Sequence, residues 1–270
     1  MKKLLFFVLV LLLYSCHQEE NKPTAPNNVI PNAIKDIDGN SYDAVVIGQQ
    51  TWMLQNLRTK KYADGTPITY MYDPSGPSDY PICTSPGETS YMSSENSYPP
   101  NANISTGLLY NWLAAVNCSN SSNTVPSHVQ GACPNGWHIP SKAEWQQLVD
   151  YVESMTVCDC GLRHIAKSLS SVDTWRHSGV GCSPGNSTSS NNNSGFNAIA
   201  AGRMLSRDEA AGIYNYDFSY SANYWSCTKE KVNSTYVDSA PCSFKLEYNY
   251  PSVVLDNSSF TYLSVRCIKD

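Results

Sequence analysis

Charge is scarce in this sequence. Charged residues make up 15% of its 270 positions, and the formal net charge is −5. No run of Lys and Arg follows a face or a helix, which excludes a phosphate-backbone partner and argues against nucleic acid. Histidine occurs only five times and is scattered. No C-x2-C pair and no paired His at ligand spacing is present, and a structural zinc site needs one or the other. No Ser/His/Asp order stands out, and no glycine-rich phosphate loop appears. No catalytic and no metal-ligating set is therefore expected. The apolar run at the start, Leu4 to Leu13, is ten residues long, where a membrane-spanning helix needs about 20.

That run follows Lys2 and Lys3, the order of a secretory signal peptide. Leu13-Tyr14-Ser15-Cys16 resembles the bacterial lipobox, in which the Cys is lipidated and becomes the mature N-terminus. Residues 1–15 read as a lipoprotein signal peptide. The chain is then anchored by acyl chains and does not span the membrane. His17-Gln18-Glu19-Glu20 resembles the surface-export signal of Bacteroidota lipoproteins, so the expected location is the outer membrane, facing outward. Residues 16–33 are rich in Pro and Asn without apolar period and read as a flexible tether.

What is abundant is tyrosine, 18 of it, with ten cysteines and long Ser/Asn-rich loops. Residues 34–270 show no second linker and no repeat, so one domain is expected. Lipidation of Cys16 leaves nine cysteines, an odd number, in a compartment that permits disulfides. Their connectivity does not follow from spacing. Cys227 and Cys242 are candidates to join neighbouring strands.

Asp36 to Arg58 reads as an opening β-hairpin: Tyr42, Val45, Val46 and Ile47 favour a strand, Gly48-Gln49 turns, and Thr51 to Leu54 return. Asp36, Asp38 and Asn40 imitate the start of a calcium loop, yet Ser41 and Ile47 stand where an EF-hand loop places Gly and Glu. A tight turn is the simpler reading. No cofactor is expected, with calcium kept as the second reading. Residues 64–105 look irregular. Leu108, Leu109, Trp112, Leu113 and Val116 recur at helical spacing and predict a helix of about ten residues.

The densest stretch, "CPNGWHIPSKAEW", resolves into a helix start. Ser141 to Glu144 fits a capping box, with the Glu reaching back to the Ser amide. Trp145, Leu148, Val149, Val152 and Met155 then trace one apolar stripe. His138 reads as a hydrogen-bonded core residue and both Trp as core aromatics. A short helix ending at Leu169, a polar loop, and strands at "ANYWSCT", "STYVDSA", "CSFKLEYN" and "TYLSVRCI" complete the chain. The expected class is α+β: two main helices packed on a twisted antiparallel sheet with long irregular loops.

"DIDGNSYDAVVIGQQTWMLQNLR", "GLLYNWLAAVN", "CPNGWHIPSKAEW", "SGFNAIAAGR", "YWSCT" and "SVRCIKD" occur in the order of a bacterial secreted family. Together they resemble the Fibrobacter succinogenes major paralogous domain. The resemblance implies a C-type-lectin-like fold close to the formylglycine-generating enzymes, and a disulfide between Cys133 and Cys267. The sequence lacks the reactive Cys pair of those enzymes and the Glu-Pro-Asn and Trp-Asn-Asp tripeptides of calcium-dependent lectins, so fold alone carries little function.

The expected function is a non-catalytic surface module that binds a ligand, with carbohydrate as the class considered first. Tyr214, Tyr216, Tyr220 and Tyr224 with Asp217 are the candidate site, since sugar rings stack on aromatic faces and carboxylates take hydroxyls. Against this stands the simpler reading that alternate Tyr fill the core. The alternative function is a structural or adhesin-type envelope protein with a protein partner. An enzyme related to the formylglycine-generating type comes last.

Overall fold

A computed structural model describes residues 28–71, 81–84, 106–155, 165–204, 217–232, 238–258 and 262–270. Cys16 and the signal segment, and Tyr214 and Tyr216, lie outside these residues.

The described residues form twelve strands in two sheets and three α-helices, a predominantly β two-sheet arrangement. The first sheet has the order β1-β2-β3-β12-β7, with β1 at Val29–Lys35, β2 at Ser41–Ile47, β3 at Gln50–Met53, β7 at Trp137–His138 and β12 at Ile268–Lys269. The second runs β10-β9-β8-β11-β6-β5-β4. Its long members are β8 (Ser221–Lys231), β9 (Ser239–Glu247) and β10 (Tyr250–Asn257). Four short strands complete it: β4 (Thr69–Tyr70), β5 (Ile82–Thr84), β6 (Leu109–Tyr110) and β11 (Leu263–Ser264).

This overturns the expectation of two main helices on one sheet in a lectin-like α+β fold. Among the described residues only α2 (Lys142–Met155) is long; α1 (Trp112–Val116) and α3 (Ile165–Leu169) have five residues each. The cause of the first misreading is Asn111. Its side chain accepts the Ala114 amide as an N-cap, so the helix cannot start earlier. The preceding Leu109 and Tyr110 instead pair with Ser264 and Leu263 on one side and with Thr84 and Cys83 on the other. A buried apolar run fits helix and strand equally well. Residues 29–33, read as tether, belong to β1, which pairs antiparallel with β2.

The hairpin and the long helix form where the sequence places them. Val45 pairs with Trp52 and Ile47 with Gln50 across the Gly48-Gln49 turn. At the start of α2 the Ser141 hydroxyl accepts the Glu144 amide at 3.1 Å, while Glu144 Oε2 accepts the Ser141 amide at 2.9 Å. The stripe of α2 buries Trp145, Leu148, Val149 and Val152 against Val45, Ile47 and Trp52 of the first sheet and Tyr224, Phe244 and Leu246 of the second. Trp145 stacks flat on Phe244 at 4.4 Å and lies 4.6 Å from Trp52. The helix is thus a wedge shared by both sheets.

Candidate functional site

A cleft of about 750 Å3 opens where five loops converge, within the size range of small-molecule sites. Its walls are Gln55 after β3, Thr106 before β6, Val172 to Arg176 after α3, Asn197 and Ile199, and Phe218 and Ser219 before β8. The lining mixes aromatic faces (Trp175, Phe218), amides, hydroxyls and two ionisable groups, Asp173 and Arg176.

Backbone bonds hold these loops to one another. Ser171 N donates to Ala198 O at 2.9 Å, Arg176 N to Ser219 O at 2.8 Å, and Ser219 N to Ala200 O at 3.0 Å. Trp175 is buried, and its indole donates to Ala198 O at 3.2 Å. Two glycines permit the close crossings. Gly202 has φ +75°, and a Cβ there would lie 2.7 Å from Phe218 N; a Cβ at Gly185 would lie 2.1 Å from Arg176 O.

Behind the cleft sits Arg266, fully buried, from the "SVRC" stretch. Its Nη1 donates to Met53 O, Leu54 O and Phe196 O, and its Nε and Nη2 donate to Asn56 Oδ1. Phe196 and Tyr224 rings flank the guanidinium at 4.8 and 5.3 Å. Burial draws its pKa down from the ordinary value, with Tyr224 opposing. No carboxylate among the described residues pairs with it. One cation therefore ties the Met53–Asn56 wall to the Phe196–Asn197 wall through neutral acceptors.

The structure divides the tyrosine cluster expected from sequence. Tyr224 is fully buried in the aromatic core around Trp145 and has no surface to offer. Asp217 is paired with Arg203 at 2.6 Å, and burial raises its pKa despite that cation. Tyr220 lies at the cleft's edge. Its hydroxyl accepts from Arg176 Nη1, the Arg176 guanidinium lies over its ring at 4.8 Å, and Tyr248 meets it edge-on at 5.2 Å. Sequence reading missed Val172 to Arg176, because nothing local marks a loop whose partners lie more than 20 residues away.

Cys133 and Cys267 are disulfide-bonded. Cys182 is disulfide-bonded as well. Cys227 and Cys242 are not: both thiols are free. They lie on paired strands, but Trp225 is opposite Ser243, and the register shifts before pairing resumes at Lys229 and Pro241. Burial pushes Cys227 up to about 11, and burial with the Glu230 carboxylate pushes Cys242 up to about 12, which leaves little thiolate at neutral pH.

His138 and the carboxylates of the Asp36–Asn40 loop are engaged structurally. His138 is buried, with Nε2 at 2.8 Å from Glu144 Oε1 and Nδ1 at 2.6 Å from Asp270 Oδ1. Asp36 accepts from the Asn40 amide and side chain and from the Tyr42 hydroxyl; Asp38 accepts from Thr59 and Lys60 and pairs with Lys61 at 3.0 Å. The loop read as a calcium-loop imitation thus has its carboxylates spoken for by protein donors. Gly181 to Gly185 spells G-x-S-x-G. Its Ser183 is fully buried and donates to Val180 O at 2.7 Å, within turns and not at a strand-to-helix junction.

A two-sheet β domain, closed by a disulfide between its helix-start loop and its last strands and carrying a loop-built cleft, is the class these features define. The Fibrobacter succinogenes major domain family matches residues 45–269, and the chain belongs to that family. No curated protein matches it, and no solved structure does.

Proposed function

We propose that this chain is a non-catalytic, membrane-tethered binding module whose loop-built cleft takes a carbohydrate ligand. The observation that carries the reading is the lining of the cleft: the half-buried ring of Phe218 and the largely buried Trp175 beside the amide of Asn197, the hydroxyls of Thr106, Thr174 and Ser219, and the charges of Asp173 and Arg176. Sugars present one apolar ring face and a rim of hydroxyls, and a mixed lining of this kind serves both. The tether is supported by the lipobox-like Leu13 to Cys16, and outward display on the outer membrane by Glu19 and Glu20.

The test is a glycan array probed with folded protein in calcium and again in chelator. A saturable hit that Phe218→Ala weakens, with an unchanged melting transition, supports the reading; a blank array from folded protein rejects it. Loss of a hit in chelator would bring calcium back as a cofactor.

A protein partner is the second reading, favoured by β1. Among the described residues this strand is the outer edge of its sheet, and it exposes Val29 and Ile30. Edge strands accept a further strand readily. Recovery of a stoichiometric partner, lost on Ile30→Lys, would favour it.

A further inference from the structure

We infer that Arg176 makes the cleft selective for acidic saccharides, by pairing with the carboxylate of a uronic- or sialic-type sugar. This rests on the carbohydrate reading above and specifies it.

Arg176 is exposed, yet its guanidinium is fixed. Its carbon lies 4.8 Å from the Tyr220 ring centre, Nη1 donates to the Tyr220 hydroxyl, and Tyr248 buttresses that ring edge-on at 5.2 Å. The backbone below is braided. Arg176 N donates to Ser219 O, Gly185 N to Tyr248 O, and Tyr248 N to Tyr220 O, each at 2.8 Å. Gly185, whose Cβ would strike Arg176 O, lets those strands of chain meet. An exposed arginine normally loses side-chain entropy when it grips a ligand. Here the stacking and the hydroxyl have already restricted it.

What remains free is the outward edge. Among the described residues Nε and Nη2 of Arg176 make no hydrogen bond, and no carboxylate pairs with the guanidinium. Asp173 is the other ionisable group of the lining, and no ion pair joins the two. A planar fork with one face stacked and one edge open matches a carboxylate by two parallel hydrogen bonds. A hydroxymethyl group, which a neutral hexose carries in place of a uronic acid's carboxylate, offers neither the charge nor the second acceptor. The aromatic and amide part of the lining would hold the ring, and Arg176 would choose among rings.

The experiment is an array of uronic- and sialic-acid glycans printed beside their neutral counterparts, probed with full-length protein in detergent, followed by calorimetric titration of the best pair. The expected result is binding about tenfold or more tighter for the acidic member, a preference that Arg176→Gln abolishes while the melting transition persists. Arg176→Lys keeps the charge without the fork and is expected to retain only part of the preference. Equal binding of both members, or a preference that survives Arg176→Gln, overturns the inference and leaves the carbohydrate reading standing. A blank across acidic and neutral glycans removes both together.

Discussion

The imidazole Nε2 of His138 sits 2.8 Å from Glu144 Oε1, and the other oxygen of the same carboxylate accepts the Ser141 amide that opens α2. One buried carboxylate therefore serves as helix cap and as histidine partner. The second ring nitrogen reaches Asp270 beyond β12, so the start of α2 and the last strand of the first sheet share this histidine.

Stability should depend on pH through this residue. Burial alone would lower the His138 pKa, but hydrogen bonds and charge from Glu144, then Asp270, outweigh it and raise it above the ordinary 6.5. A raised folded pKa means the fold holds the proton more tightly than the unfolded chain does. Its contribution is complete below the unfolded value and is lost as pH climbs through the folded one. The gap in urea midpoint between the wild type and His138→Gln is expected to be wider at about pH 5.5 than at about pH 9. A gap that stays constant would remove the charged histidine from the account. Glu144→Ala should cost about 2–4 kcal/mol, the sum of a lost cap and a buried nitrogen left without its partner.

The Cys133–Cys267 bond joins residues 134 apart in sequence. Cross-links over loops of that length restrict the unfolded chain by about 4–5 kcal/mol in chain-entropy terms. The double replacement Cys133→Ala with Cys267→Ala is expected to lower unfolding free energy by roughly that amount. Equilibrium urea denaturation measures it, and a change below about 1 kcal/mol would show that the reduced chain is already as restricted.

Arg266→Lys is expected to destabilise severely, by about 3–5 kcal/mol, although charge is conserved. A lysine has no planar fork with which to serve Asn56 Oδ1 and the carbonyls of Met53, Leu54 and Phe196 together. Thermal denaturation reads the loss. Because the same acceptors belong to both cleft walls, ligand affinity is expected to fall with it.

Tyr224→Ala separates core from surface within one tyrosine-rich stretch. Tyr224 is fully buried between Trp145 and Phe196, so its truncation should cost about 3–5 kcal/mol. Phe218, half-buried at the cleft, should change affinity far more than stability. If Tyr224→Ala melted like the wild type, the aromatic core would be misassigned.

The elements legible in the sequence are those fixed by neighbours. The Ser141–Glu144 cap, the stripe of α2 and the Val45 to Trp52 hairpin are each set within a dozen residues. The Cys133–Cys267 bond was legible only through the family resemblance. What escaped is set at long range. Leu109 and Tyr110 become a strand because Ser264 and Leu263 lie beside them. β10 begins Tyr250-Pro251, a pair that reads as a turn but is tolerated where only one edge of the strand is hydrogen-bonded. The cleft escaped for the same reason, since Gln55, Arg176, Asn197 and Phe218 come to it from four segments far apart in sequence. Of the tyrosines singled out from the sequence, Tyr220 lies under the Arg176 guanidinium.

The order of strands in the first sheet also decides how the molecule yields to a pull. β1 is outermost, and its first residue, Val29, pairs with Val45 while its last, Lys35, pairs with Ser41. Tension applied at Asn28 loads one rung at a time, so β1 peels like a zipper and pays out slack before the sheet shears. The covalent ring from Cys133 to Cys267 cannot lengthen, and it encloses the cleft residues from Val172 to Ser219. A pull on Asn28 would thus release β1 first and leave the covalent ring that carries Val172 to Ser219 closed.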